Sequence, residues 1–236
     1  MDESRVSRRS FVQAGLGLAA LAPVAQTASA QAPSAVANPA PKQRSFLKEP
    51  GPMVPPVPAI LLTVNGMPGD PDEISVVWTF VIEGKPPQIG IAPGNEHLAQ
   101  RLVERHREFV LNVPVVSMVE SFDKVDFSST KVADKFALTG WTRGRAAKVN
   151  APTIEEAPIQ VECRVFASVD ARPSRRVFLA DVLATSVHEG VCDVEGRLIV
   201  EGLPFFGMTA GSGEFYTMGR RVGHIGQGVG RRDIKY

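Results

Sequence analysis

The stretch Ala59-Ile-Leu-Leu-Thr-Val64 is rich in large aliphatic and β-branched residues and runs directly into Asn65-Gly66. Such a short apolar run predicts a buried strand, and Asn-Gly is a strong turn signal. Two further β-rich stretches follow, Ile74 to Ile82 and Gln88 to Ala92, joined through Glu83-Gly84-Lys85-Pro86-Pro87. We interpret the three stretches as the opening strands of one sheet.

One amphipathic helix is predicted after these strands. Residues Glu96 to Arg107 carry an apolar stripe of Leu98, Leu102 and Val103, while the charged residues fall elsewhere. Asn95 is a suitable N-cap, because its side-chain oxygen can accept from the free N–H groups of the first turn. The helix is expected to pack on the sheet.

Three more stretches indicate strands: Phe109 to Val113, Val161 to Val169 and Val177 to Val187. The last two are separated by the turn-forming residues Ala171-Arg172-Pro173-Ser174. Many short strands with few helices favour a mainly β fold, a closed or half-closed barrel, over a doubly wound parallel sheet.

The first thirty residues have the pattern of an export signal. Ser7-Arg8-Arg9-Ser10-Phe11 precedes an apolar run from Ala14 to Ala25, which is shorter than the roughly 20 residues of a membrane span. Ala28-Ser29-Ala30 has the small residues of a cleavage site. We therefore predict a twin-arginine signal, a periplasmic location and no stable membrane anchor after cleavage. Export of an already folded protein favours a cofactor inserted in the cytoplasm.

The chain divides into four predicted segments. Residues 1–30 are the signal peptide, and residues 31–57 form a lead-in rich in Ala and Pro. Residues 58–226 form the folded domain. Residues 227–236 form a tail rich in Gly and Arg, which we expect to be solvated.

The charge balance argues against nucleic acid as a partner. The chain has 26 basic and 25 acidic residues, a formal net charge of +1. No global field therefore draws it to nucleic acid or to an anionic membrane, and a small-molecule partner is expected.

The cysteines show no metal-binding pattern. Cys163 and Cys192 are the two cysteines of the chain, and they form no Cys-x-x-Cys motif and have no nearby histidine pair. No metal site is therefore predicted. Cys163 stands among apolar residues and is expected to be buried, although a disulfide with Cys192 stays open in an oxidising compartment.

Familiar catalytic motifs are missing from the sequence. It has no Gly-x-Gly-x-x-Gly after a strand, no Walker loop and no nucleophile elbow. The four histidines, His97, His106, His188 and His224, have no metal-ligand spacing. No catalytic residue is assigned. What remains is chemistry that needs few protein groups, such as hydride transfer through a bound flavin, in which the cofactor reacts and the protein orients it.

Several segments, in this order, resemble the flavin reductase-like, FMN-binding split-barrel family, and in particular its flavoredoxin branch. The resemblance extends from about Pro55 to Gly226, and its specificity comes from the ordered set. The segments are Pro58 to Thr63, Ser75-Val-Val-Trp-Thr79, Lys85-Pro86-Pro87, Glu108-Phe-Val-Leu-Asn-Val113, Asp134-Lys-Phe136, Thr139-Gly140, Ala151-Pro152, Glu155-Glu-Ala-Pro158, Glu162-Cys163, Phe215-Tyr216 and Gly219.

The resemblance implies a homodimer of split barrels with FMN near the subunit interface. Ser75, Val76, Val77, Trp78 and Thr79 match the family strand that lines the flavin ring. Strand alternation would place Ser75, Val77 and Thr79 on one face, where the hydroxyls meet the flavin, and Val76 and Trp78 on the other. Plain core packing of Trp78 is an equal alternative.

The helix start near Asn95 is the implied phosphate site, since free N–H groups and the helix dipole favour an anion there. Relatives usually carry two arginines and then Ser or Thr where this chain has Ala92, Asn95 and His97. Our hypothesis is that His97, Lys131 and Lys135 replace the lost positive charge.

Asn112 matches a family position close to the flavin. A polar side chain in an apolar strand needs a hydrogen-bond partner. The cofactor could provide that partner, and a backbone carbonyl of the barrel could do so equally well.

Three functions follow from these observations. The first is a periplasmic FMN-dependent oxidoreductase that takes a hydride from NAD(P)H or another donor. The second is a flavoredoxin-like electron carrier served by another redox protein, since nicotinamide nucleotides are expected to be scarce outside the cytoplasm. The third is a split-barrel binding protein that has lost flavin, which the changes at Ala92 and Asn95 suggest.

Overall fold

The computed structural model describes residue 40 and residues 43–94, 97–130, 133–172, 174–210 and 212–231. The predicted signal peptide, residues 1–30, lies outside the described residues, as do Asn95 and Lys131. Two short 3₁₀ turns, Val116–Met118 and Gln227–Val229, accompany the main elements. These elements are β1 (Val57–Pro58), β2 (Leu61–Val64), β3 (Glu73–Val76), β4 (Thr79–Gly84), β5 (Pro87–Ile91), α1 (Leu98–His106), β6 (Glu108–Val113), α2 (Val119–Asp126), α3 (Lys135–Thr139), β7 (Arg143–Arg145), β8 (Pro152–Ile154), β9 (Ile159–Arg172), β10 (Arg175–Val187), β11 (Phe206–Met208) and β12 (Phe215–Thr217).

The fold is mainly β, as the sequence predicts. A seven-stranded sheet has the order β3-β2-β6-β9-β10-β5-β4, and every neighbouring pair in it is antiparallel. Smaller sheets contain β1-β11-β12 and β7-β8. The long hairpin of β9 and β10 occupies the middle of the large sheet.

The large sheet curls because its two end strands are consecutive in the chain. β3 ends at Val76 and β4 begins at Thr79, so two residues connect opposite ends of the sheet. A flat seven-stranded sheet would separate those ends by about 29 Å, whereas two linking residues span at most about 11 Å. The N–H of Val77 donates to Ile60 O at 3.2 Å, and Trp78 O accepts from the Ala92 N–H at 2.9 Å.

This link corrects the prediction of one continuous strand from Ile74 to Ile82. The chain leaves β3 and enters β4 at Val77 and Trp78. Val77 bonds to Ile60, just before β2, and Trp78 bonds to Ala92, just after β5. The residues at the break are apolar like those of the strands, and Val77 is buried. A sequence pattern of burial therefore could not show that the strand changes partners here.

The prediction for the helix is correct in type and wrong at its start. α1 begins at Leu98, and His97 rather than Asn95 is its N-cap, without a side-chain hydrogen bond to the helix. Buried Ala99, Leu102 and Val103 pack α1 against the sheet. The left-handed Arg107 ends the helix, and its N–H donates to Val103 O at 2.9 Å.

Two apolar clusters cover the two faces of the sheet region. The inner cluster joins α1 to residues of five strands, including the fully buried Phe109 and Phe178. The outer cluster contains Phe122 of α2 with Phe206 and Phe215 of the small sheet, in edge-to-face contacts with ring centroids 5.4–5.7 Å apart. Sequence reasoning did not identify α2, α3 or the small sheets.

In the described part of the chain, no helix combines the length and apolar character that a membrane crossing requires.

Cys163 is buried in the inner cluster, as predicted, and both cysteines are free thiols. Burial raises the pKa of the Cys163 thiol to about 12, and the adjacent Glu162 carboxylate adds to the effect. That carboxylate is itself buried and accepts the backbone N–H groups of Ala147 and Val149 at 3.0 and 3.2 Å.

The Cys163 thiol should make stability fall with rising pH. An unfolded cysteine loses its proton near pH 8.5, whereas folded Cys163 keeps it until about pH 12, so the unfolded state alone gains from deprotonation between these values. Between pH 8 and pH 10 we expect wild type to lose about 1–2 kcal/mol more unfolding free energy than Cys163→Ala. Urea unfolding at both pH values measures this difference, and equal losses in the two proteins would contradict it.

Candidate functional site

A groove runs beside the β3–β4 link, between α1 and residues 127–130, which follow α2. Its first half has a volume of about 300 Å³, and its second half about 280 Å³. Val76, His97 and Asp126 line both halves, so the two are adjacent. Their volumes approach or reach the size range of small-molecule sites, ~300–1,000 Å³.

The first half of the groove is polar. Its charged residues are Glu73, Arg101, Asp126 and Lys135, together with His97. The hydroxyl groups come from Ser75 and from the consecutive residues Ser128, Ser129 and Thr130.

A buried ion pair forms the floor of this first half. Lys135 Nζ donates to Glu73 Oε1 at 2.9 Å and to the Ile74 carbonyl at 2.6 Å, and both charged side chains are about 97% buried, at 4% and 3% exposure. Ser75 Oγ donates to the same Oε1 at 2.7 Å, and the Thr130 hydroxyl donates to Oε2. The carboxylate is thus fully satisfied, and the positive charge of Lys135 is neutralised within the protein.

The second half of the groove combines an apolar wall with charged residues. Val76, Val77 and Trp78 line it together with Met208, and the indole of Trp78 is 37% exposed. Gly94, His97, Asp126 and Arg175 complete the lining.

The break at the link interrupts the strand that was expected to line the flavin ring. Val76 packs against the outer cluster and Val77 is buried in the inner cluster, so their side chains point to opposite faces, although both residues border the groove. Ser75 lines the first half, but Thr79 lines neither half, and its hydroxyl donates to Gly90 O at 3.0 Å. That the hydroxyl groups of Ser75 and Thr79 meet a flavin stays a prediction.

His97 lies where the helix start was expected to bind an anion. Its imidazole packs against Gly94, since a Cβ on Gly94 would stand 2.9 Å from His97 Cδ2. Its backbone N–H donates to Gly94 O at 3.0 Å. The first turn of α1 has no acidic residue and no side-chain cap, so neither competes with an anion.

Asn112 is fully buried and is not among the residues that line the groove. Its Nδ2 donates to Thr63 Oγ1 at 3.0 Å and to Leu61 O at 3.3 Å, and its Oδ1 accepts from the Ile154 N–H at 2.9 Å. Of the two alternatives for its partner, the structure has the protein one. Asn112 thus joins β6 to β2 and β8.

Two arginines of the groove were missed by sequence reasoning. Arg101 lies four residues after His97 on α1, so helical periodicity could have placed both on one face. Arg175 comes from the start of β10, and its Nη1 donates to Ala92 O at 2.8 Å. No local pattern joins Arg175 to Ala92, because 83 residues separate them in the chain.

Asp126 is the carboxyl group that both halves of the groove share. Partial burial raises its pKa, while the positive charges of His97 and Lys135 act in the opposite direction. Across the described residues, no group of three or more His, Cys, Asp or Glu side chains is arranged to hold a metal ion.

Comparison with known proteins gives consistent results. Residues 55–197 match the model of the flavin reductase like domain. An uncharacterized protein from Pyrococcus abyssi is 27% identical over 128 residues, which are 54% of this chain and 73% of the relative.

Solved structures agree in fold. The flavoredoxin of Desulfovibrio vulgaris (Miyazaki F) superposes with a TM-score of 0.71 at 19% identity, covering 78% of this chain and 97% of the flavoredoxin. The FMN-binding protein from Thermus thermophilus, solved with 1-cyclohex-2-enone, gives a TM-score of 0.63 at 17% identity, covering 79% and 99%. The sequence match over residues 55–197 shows that the chain belongs to the flavin reductase-like family, and the curled seven-stranded sheet has the split-barrel fold of the solved neighbours.

Proposed function

We propose that this chain is an exported flavoprotein that binds FMN in the groove beside the β3–β4 link and passes electrons through it. The observation that carries the proposal is the mixed lining of the groove. An apolar and aromatic wall with Val76 and Trp78 lies beside the positive charge of Arg175, and the adjoining half offers hydroxyl groups. FMN likewise combines a flat ring with a chain that carries hydroxyl groups and a phosphate.

The residues present fit such a ligand. Val76, Met208 and the partly exposed Trp78 form a wall against which a flat ring can pack. The hydroxyl groups of Ser128 and Ser129 can donate to ribityl oxygens, whereas that of Thr130 already donates to Glu73. When bound, the flavin supplies the electron-transfer chemistry, and the protein supplies binding and orientation.

Lys135 acquires a more limited role than the sequence predicts. Its ammonium group has three N–H donors, of which Glu73 and the Ile74 carbonyl accept two. The third donor remains for a ligand. Because Glu73 already neutralises the charge, we assign Lys135 a positioning role at the groove floor and not the main phosphate contact.

The names of similar proteins also support flavin binding. The solved neighbours include a flavoredoxin and an FMN-binding protein, and the matching family model is that of the flavin reductase like domain. Names of distant relatives do not specify a donor. Electron transfer from NAD(P)H and electron transfer from another redox protein are therefore separate versions of the proposal.

Flavin content is the first test of the function. Protein purified from the periplasmic fraction should be yellow and show the near-ultraviolet and blue absorption bands of a flavin, because the groove fits one. Mass analysis of the released cofactor should identify FMN. A colourless protein that also fails to bind added FMN would contradict the proposal and favour the binding protein without flavin.

The same preparation can be used to identify the electron donor to the bound flavin. Rapid steady-state oxidation of NADH or NADPH would support the reductase and contradict the pure carrier. If neither nucleotide reduces the bound flavin while dithionite does, the electron carrier is favoured.

Export is tested at the arginine pair. Changing both Arg8 and Arg9 to Lys keeps the charge but removes the twin-arginine pattern, so we expect the protein to accumulate in the cytoplasm. Immunoblots of cytoplasmic and periplasmic fractions measure this distribution. Arg5→Lys is the matched control and should be exported like wild type; export of the double variant would contradict the proposed route.

We further propose a homodimer that uses the outer face of the large sheet. Strand register places Phe80, Gly90, Leu179 and Ala167 in one row across four strands. The neighbouring Phe178 is buried in the inner cluster, so this row faces away from it. Phe80 covers Gly90 with its ring and is still 47% exposed, which suits an apolar subunit contact.

Subunit mass tests this contact. Light scattering after gel filtration should give twice the chain mass for wild type and the single chain mass for Phe80→Asp, because an acidic group would be buried in the interface. Leu179→Asp should act in the same way, whereas Val229→Asp, at an exposed residue of the C-terminal segment, should remain dimeric. A monomeric wild type, or dimeric Phe80 and Leu179 variants, would contradict the assignment.

A further inference from the structure

Two consecutive arginines at the start of β10 have different environments. Arg176 is ion-paired with Asp170 at 2.7 Å and also contacts the Glu104 carboxylate. Arg175 is partly buried, and its one hydrogen bond in the described structure goes to the neutral carbonyl of Ala92. Among the described residues, no carboxylate forms an ion pair with Arg175.

Arg175 is held at the groove by backbone contacts. An antiparallel bridge pairs it with Gly94, and its side chain bonds to Ala92 at the end of β5. Gly94 and His97 line the same half of the groove, at the start of α1. The guanidinium has five N–H donors, and Ala92 accepts one, so four remain for a ligand.

The other cations of the groove are less suited to bind an anion strongly. Lys135 is neutralised by Glu73, and Arg101 is an exposed side chain with no described hydrogen bond that fixes it. A partly buried cation without a carboxylate has lost water without gaining a counter-charge, so an anionic ligand would stabilise it. Asp126 is the acidic residue that lines this half, and it forms no described ion pair with Arg175.

We propose that Arg175 is the cation that binds the phosphate of FMN, a phosphate monoester, with Gly94 and His97 beside it. This inference rests on the proposed function of the groove. It also explains how this chain can have Ala92 where relatives usually carry an arginine. The positive charge beside Ala92 comes from Arg175 of β10 instead of from the loop after β5. The phosphate would then lie at the Gly94 end of the groove, away from Ser128 to Thr130.

The test separates phosphate binding from ring binding. Flavin-free protein is titrated with FMN and with riboflavin, which lacks the phosphate, and the two dissociation constants are compared by fluorescence. Arg175→Gln should weaken FMN binding about 10- to 100-fold, the range for a lost charge-assisted hydrogen bond, and leave riboflavin binding within about twofold. Arg175→Lys should recover part of the FMN affinity.

Arg176→Gln is the matched control, because it removes the neighbouring charge, which is already paired with Asp170, and should change neither affinity. Added salt should weaken FMN binding in wild type more than in Arg175→Gln. Unchanged FMN affinity in Arg175→Gln, or equal losses for both flavins, would overturn the inference. A selective loss of FMN affinity in Arg101→Gln instead would place the phosphate at the other end and overturn it as well. If wild type binds neither flavin, the proposed function fails together with this inference.

Discussion

The closure of the seven-stranded sheet by Val77 and Trp78 is the constraint on which the rest of the structure depends. Two residues must connect strands that lie at opposite ends of the sheet order, so the sheet curls until those ends meet. Hydrogen bonds from Val77 to Ile60 and from Ala92 to Trp78 hold the seam from both sides. The inner apolar cluster forms inside this curl, and α1 packs against it.

The groove is a consequence of that seam. Where the strands meet, the backbone cannot continue a regular ladder, and Val76, Val77 and Trp78 border one space. α1 and residues 127–130 form the other walls. Since one wall comes from the seam and the others from helices, a ligand there contacts parts of the chain that are distant in sequence.

Some charged groups in the groove have an ion-pair partner within the protein, and others do not. Glu73 and Lys135 neutralise each other, and Ser75 and Thr130 complete the bonds of the carboxylate, so this floor is fixed and buried. Arg175 has a carbonyl partner and no described carboxylate. Lys135 and Arg175 thus have the same formal charge but differ in their ability to bind an anionic ligand. The difference comes from ion pairing within the protein.

The amino-acid sequence by itself determined the mainly β class, the stretches that form the large sheet, the apolar stripe of α1 and the burial of Cys163, because these follow from local periodicity and composition. It also indicated the family through an ordered set of segments. It could not show the break at Val77, since both sides of the break are apolar. Tertiary structure alone decided that Lys135 is neutralised by Glu73, 62 residues away, that Asn112 bonds to the protein, and that Arg175 reaches Ala92. These outcomes depend on strand register and sheet closure, which bring distant residues together and leave no local signal in the chain.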